Sequence, residues 1–321
     1  MDTKRIADTI AASDNQKTMY DAACKMILGD KIVLAKILSE YVEEFKGLSA
    51  SEIANNYIDS NTVKSSNIVG SAVDYLVGNA TDDLKFPGAT IKYDILFNAL
   101  IPGTDDHMSV IINVEAQNKD NPGYPLLKRA FYYASRLIAG QKNDPNGFSN
   151  SNYGDIKKVY SIWICLNSPV EKRNSVNLYS ISETHLDGSY CANEEHYDIM
   201  SVVMIYLQGE YNNNEIVDSA KKMLDMLFAS NLNKEEKFKH MQDYGIMTVK
   251  TEEGISSMCN FSDSIYEKGF GDALLIADAK HALRLVNRMK LTLEQAAEEL
   301  GIDKASIPAI RKLIESGKVA E

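Results

Sequence analysis

Asp94, Glu115 and Gln117 are the residues of this chain whose types and spacing could act together chemically. Glu115 and Gln117 lie in VIINVEAQNKDNPGYP (Val110–Pro125), where a β-branched run reads as a buried strand. An ionised carboxylate on such a strand is costly unless it is paired, hydrogen-bonded or bound to a metal. Upstream, IKYDILFNALI (Ile91–Ile101) alternates with period two, and the intervening PGTDDH is a turn by composition. A hairpin turning between Thr104 and Asp105 sets Asp94 opposite Glu115, with Cβ atoms roughly 5 Å apart. Like charges in that position repel unless they share a proton or a cation. Hard oxygen ligands suit Mg²⁺ or Mn²⁺, and a backbone carbonyl beside Glu115 can add a further ligand. Gln117 follows Glu115 by two residues and therefore shares its face. The competing reading leaves Asp94 at a solvated sheet edge and pairs Glu115 with a lysine such as Lys92.

The elements that would position these residues are also written in the pattern. Leu34, Leu38, Tyr41, Val42 and Phe45 recur at helical spacing, and Ser49 with Glu52 reads as a capping box opening a second short helix. Between Ile58 and Pro87 the chain is mixed and polar, with a short helix expected near Val69–Val77. After the hairpin, LLKRAFYYASRLIAGQ is an amphipathic helix on which Arg129, Tyr133 and Arg136 fall on one face. Guanidinium groups there could bind phosphate oxygens bidentately, or could be laced to acidic neighbours on an ordinary helix surface. Three strands are expected in KKVYSIWICLN, VNLYSISE and IMSVVMIYL, the first and last apolar on both faces as central strands are. From about Gly209 the pattern is helical, over Glu215–Leu232, Lys234–Tyr244 and Asp263–Arg288. The tail opens with a Thr292/Gln295 capping box, stops a helix at Gly301, and starts another near Ser306 or Pro308. It has a helix–turn–helix look that suits DNA reading, packing or oligomerisation.

Glu-x-Gln beside an upstream Asp on a hairpin resembles the Asp…(Glu/Asp)-x-Lys core of PD-(D/E)XK nucleases. VEAQN, PGYPLLKRAFYYASRLI, KKVYSIWICLN and TEEGISSMCNFSDSIYEKG together resemble the PD-(D/E)XK nuclease family transposases, the bacterial recombination-promoting nuclease group, over roughly Tyr20–Gly269. The resemblance implies an α/β fold with a restriction-endonuclease-like core, a mixed sheet flanked by helices, and an all-helical C-terminal extension. It divides the chain into a nuclease-like domain (1–210), a helical extension (211–290) and a helix–turn–helix-like tail (291–321). It implies Mg²⁺- or Mn²⁺-dependent hydrolysis of DNA, with Asp94, Glu115 and the Ala116 carbonyl holding the metal and Arg129 and Tyr133 facing the site. Gln117 takes the place of the usual lysine; an amide orients water by hydrogen bonds but carries no charge and is no general base. Many such nucleases add a glutamate from the first helix. Glu40, Glu43 and Glu44 are candidates here; the EEF stretch points to Glu44, and the ordinary alternative is a solvated surface glutamate. A nuclease fold that binds nucleic acid or a partner protein without cutting is the alternative function, and a structural homo-oligomer is a third.

Composition bounds these readings. A 321-residue chain with 45% hydrophobic and 25% charged residues has the make-up of an ordinary globular protein. Its net charge of −11 argues against wrapping nucleic acid on a basic stripe, though not against local contact through a metal and a few cations. The four cysteines have no paired spacing, no signal-like segment opens the chain, and no apolar run reaches membrane-span length, so a cytoplasmic protein is expected. The five histidines form no H-x-x-x-H pattern, and no P-loop or nucleophile-elbow motif occurs.

Overall fold

A computed structural model of the chain describes residues 19–58, 64–65, 82–83, 91–92, 94–104, 107–115, 124–144, 147–166, 168–212, 219–316 and 319. The chain divides into two compact units, Met1–Met258 and Cys259–Glu321. The expected helix near Val69–Val77 lies outside the described residues.

The first unit is mixed α/β. Its sheet has six strands in the order β1-β4-β5-β6-β8-β7, made of β1 (Lys64–Ser65), β4 (Ile95–Leu100), β5 (His107–Glu115), β6 (Val159–Cys165), β7 (Ser175–Ser180) and β8 (Met200–Tyr206). A separate two-stranded ladder joins β2 (Asp82–Asp83) to β3 (Ile91–Lys92). β4 runs antiparallel to β1 and β5; β5, β6 and β8 are mutually parallel; β7 is antiparallel to β8. Every side chain of β6 is buried, and so are all but the first of β8, as two-sided apolar strands in a covered sheet must be. β7 lies at the edge, half-buried to exposed along its length, without the expected alternation.

β5 and β6 are parallel, so the chain must cross over between them, and α4 (Leu126–Gly140) makes that crossing. Leu126, Ala130, Tyr133 and Ala134 recur at helical spacing and bury α4 against Val159, Trp163, Cys165, Val202, Met204 and Tyr206. Alternation turns Tyr160, Ile162, Ile164, Val203 and Ile205 to the opposite face, where they are equally buried. On that side Tyr160 reaches the turn following α2 (Lys31–Tyr41), and α2 packs on α3 (Ala50–Asn56) and α5 (Ala220–Phe228). α1 (residues 19–28) precedes α2, whose N-cap Asp30 accepts from the Ile32 amide and from the Thr248 hydroxyl at 2.7 Å.

Among the described residues everything after Tyr206 that is regular is helical: α5, α6 (Lys234–Asp243), α7 (Val249–Met289), α8 (Leu293–Glu299) and α9 (Ile307–Glu315). α7 starts fourteen residues before the expected Asp263. Gly254 weakens the helical pattern there, yet a Cβ at that position would lie 2.5 Å from Ile27 Cγ1, so the missing side chain is what lets α7 approach α1. In the second unit Ala279, Ala282, Ala296 and Ile310 form a small core. The Thr292/Gln295 capping box forms in both directions, Gly301 has φ +66°, and α9 starts with Ser306 as N-cap and Pro308 in its first turn. Arg311 of α9 pairs with Glu294 of α8. No helix among the described residues is long and apolar enough to cross a membrane.

Candidate functional site

The hairpin forms, with a register two residues away from the expected one. Ile95 pairs with Ile112 and Leu100 with His107, so continuing the ladder sets Asp94 beside Asn113 rather than Glu115. The turn centres between Gly103 and Thr104, one residue earlier than expected, and this moves every pair by two. A bend at Asp94 separates β3 from β4. A two-residue shift preserves parity, so positions 94 and 115 become diagonal neighbours at one end of the sheet. Glu115 is the last residue of β5 and pairs in register with Cys165 at the C-terminal end of β6. Ala116 and Gln117 lie outside the described residues, and for Glu115 the structure describes the backbone.

Asp94 has a compensating charge that its sequence neighbourhood does not reveal. Lys25 of α1 places Nζ 2.9 Å from Asp94 Oδ1 and 2.5 Å from Asp21 Oδ2, with its own side chain 5% exposed and that of Asp94 20% exposed. Burial alone would pull the Lys25 pKa down. Asp94, by charge and hydrogen bond, and Asp21 more than offset this and hold the ammonium above its ordinary value. Lys25 and Asp21 are not legible as partners of Asp94 in the sequence, because some seventy residues separate α1 from the hairpin. Among the described residues no group of three or more His, Cys, Asp and Glu side chains could hold a metal.

α4 carries two of the predicted cations, Arg129 and Arg136. Arg129 donates through Nε and Nη2 to the Tyr133 hydroxyl at 2.9 and 2.7 Å, and through Nη1 to the Tyr124 hydroxyl at 3.2 Å. Its guanidinium lies over the rings of Tyr133 (5.0 Å) and Trp163 (5.4 Å). Trp163 pairs in register with Asn113, two residues before Glu115 on β5. Arg136 donates to the Tyr132 hydroxyl at 3.1 Å. Arg129 and Tyr133 thus act as one unit.

Glu44 is elsewhere. It sits in the 3₁₀ turn Glu43–Phe45, not on a helix, and accepts from the Tyr160 hydroxyl at 2.9 Å and from Lys158 Nζ at 2.8 Å. Lys158 also pairs with Asp198. These contacts are at the N-terminal end of β6, roughly 16 Å along the strand from Cys165 and position 115. Glu40 accepts from the Ala220 amide at the start of α5, and Glu43 pairs with Lys46.

The Glu44 cluster makes the fold sensitive to base. Burial, then the Glu44 charge, pushes the Tyr160 hydroxyl from 10.0 up to about 12. Burial would lower the Lys158 pKa, but hydrogen bonds to Asp198 and Glu44 raise it. Both groups keep their protons in the folded chain at a pH where the unfolded chain loses them. Stability from this cluster is therefore complete below about pH 10 and falls above it, by about 1.4 kcal/mol per pH unit for each such proton. Urea midpoints from pH 8 to 11 should fall most steeply above pH 10, and less steeply there for Tyr160→Phe than for wild type. Parallel curves for the two proteins would contradict this.

The chain matches no protein-family model, no curated protein and no solved structure.

Proposed function

We propose that the chain is a metal-dependent DNA endonuclease of the PD-(D/E)XK type, in the manner of the recombination-promoting nucleases it resembles. The observation behind the reading is that Asp94 precedes β4 and Glu115 ends the neighbouring β5 at the same end of a mixed sheet, while Arg129 of α4 lies over Trp163 on the next strand. A hairpin leading through a helix to a parallel strand, with helices on both sheet faces, is the scaffold such a site requires. In this reading Asp94, Glu115 and the Ala116 carbonyl hold Mg²⁺ or Mn²⁺. The bound cation would neutralise developing phosphate charge and acidify its water. Gln117 orients the attacking water by hydrogen bonds, and Arg129, fixed by Tyr133 and Tyr124, positions the phosphodiester. Lys25 adds a cation beside Asp94 that Gln117 does not provide.

Nicking of supercoiled plasmid by the purified chain tests the reading. Mg²⁺- or Mn²⁺-dependent nicking is expected, reduced at least a hundredfold by Asp94→Asn and by Glu115→Gln. Nicking that survives both substitutions unchanged would falsify the site. The ion pair between Lys25 and Asp94 also favours a second reading, a nuclease fold that binds nucleic acid or a partner protein without cutting. Calorimetric metal or DNA binding with no cleavage of any DNA form would select it.

A further inference from the structure

α4 departs from the rest of the chain in charge. From Asn121 to Asn143 there is no Asp or Glu but four cations, Lys128, Arg129, Arg136 and Lys142, in a protein of net charge −11. The outward side of the helix carries Lys128, Tyr132, Ser135 and Ala139 at three- and four-residue spacing, all exposed. Two aromatic rings accompany the cations: Tyr132 is 50% exposed, and Tyr124, at the helix entrance, is 43% exposed. Along the axis they are roughly 12 Å apart. Each tyrosine also anchors an arginine through its hydroxyl, Tyr124 holding Arg129 and Tyr132 holding Arg136, whose guanidinium lies 5.9 Å from the Tyr132 ring centre. The arginines are thereby ordered before any ligand arrives, which reduces the entropy lost on binding.

We propose that the exposed side of α4, together with the half-buried Arg129 and Arg136 at its flank, binds single-stranded DNA, with bases stacking on Tyr124 and Tyr132 and phosphates held by Lys128, Arg129 and Arg136. The choice of DNA rests on the endonuclease reading; the preference for an unpaired strand does not. A half-exposed ring gains by stacking only on a base whose face is open, and a duplex keeps those faces inside its own stack. Charge density points the same way. A duplex carries one phosphate charge per ~1.7 Å of axis against ~3.4 Å for one of its strands, so an acidic protein with one local basic face repels a single strand less.

Fluorescence anisotropy of the full chain tests this in EDTA, where cleavage cannot interfere. The probes are a labelled mixed-sequence 20-mer as single-stranded DNA, as duplex DNA and as RNA of the same sequence. Single-stranded DNA should bind at least tenfold more tightly than duplex. Tyr132→Ala and Tyr124→Ala should each weaken it about 5- to 100-fold, while Tyr132→Phe, which keeps the ring, should stay within about threefold. Equal or tighter duplex binding, tighter RNA binding, or an unaffected Tyr132→Ala protein overturns the proposal. Metal-dependent cleavage without a single-strand preference sinks this inference and leaves the nuclease reading standing. Tyr132-dependent binding of single strands by a chain that never cuts does the reverse.

Discussion

Lys25→Met should lower the stability of the metal-free protein by roughly 2–4 kcal/mol, because it strands two carboxylates that share one nearly buried ammonium. Asp94 and Asp21 keep some solvent contact, which places the loss toward the lower part of that range. Urea denaturation measures it. The same variant examines the metal hypothesis from a second direction. An ammonium 2.9 Å from Asp94 competes with any divalent cation for that carboxylate, by charge and by occupancy. Should Asp94 be a ligand, Lys25→Met will bind Mg²⁺ more tightly than wild type in calorimetry. Saturating Mg²⁺ will then return part of the lost stability, since a ligand that binds only the folded chain stabilises it. Unchanged or weaker Mg²⁺ binding would remove Asp94 from the ligand set, whatever the plasmid assay shows. Asp94→Asn supplies the complementary limb: it leaves Lys25 paired with Asp21, so it should destabilise less than Lys25→Met does.

How much of this was readable in the sequence depends on how far apart the interacting residues lie along the chain. β6 and β8 announced themselves as central strands because neither alternates, and both are buried in the interior of the sheet. The Thr292 box and Gly301 were legible because a cap is satisfied by residues three or four positions away, and the last helix starts at Ile307, between the expected Ser306 and Pro308. The Ser49 cap was half right: its hydroxyl accepts from the Glu52 amide at 3.2 Å, as expected of an N-cap. The hairpin existed as read, but its register depended on where the turn centres, which alternation does not encode. The start of α7 was missed because Gly254 looks like a breaker until Ile27 is seen against it. Lys25 was missed for the same reason, since its value lies in a contact to a distant segment. Arg129 and Tyr133 could be placed on one helix face because one helical turn separates them. The Trp163 ring beneath them could not be placed with them, because it comes from the neighbouring strand.

That ring sets the other large expectation. Trp163 is the chain's one tryptophan and among its largest fully buried side chains. It donates from Nε1 to Ser161 Oγ at 2.9 Å and lies 5.7 Å from the Tyr133 ring. Trp163→Ala should therefore cost about 3–5 kcal/mol through lost burial and the cavity left behind, with Ser161 losing its buried donor as well. Trp163→Phe keeps an aromatic surface and should cost clearly less. The two variants separate support of the core from support of Arg129. Phenylalanine still offers a ring face to the guanidinium, so Arg129-dependent nucleic-acid binding should survive in Trp163→Phe. In Trp163→Ala, studied at a temperature where it remains folded, binding should weaken because one of the two rings under Arg129 is gone. Circular dichroism follows folding in both variants, which lack the native fluorophore. In wild type, Trp163 emission reports events at Arg129 directly. A change in that emission on adding oligonucleotide, absent in Arg129→Ala, would tie the α4 face to the sheet beneath it. Wild-type binding by a folded Trp163→Ala protein would instead mean that Tyr133 and Tyr124 suffice to hold Arg129 in place.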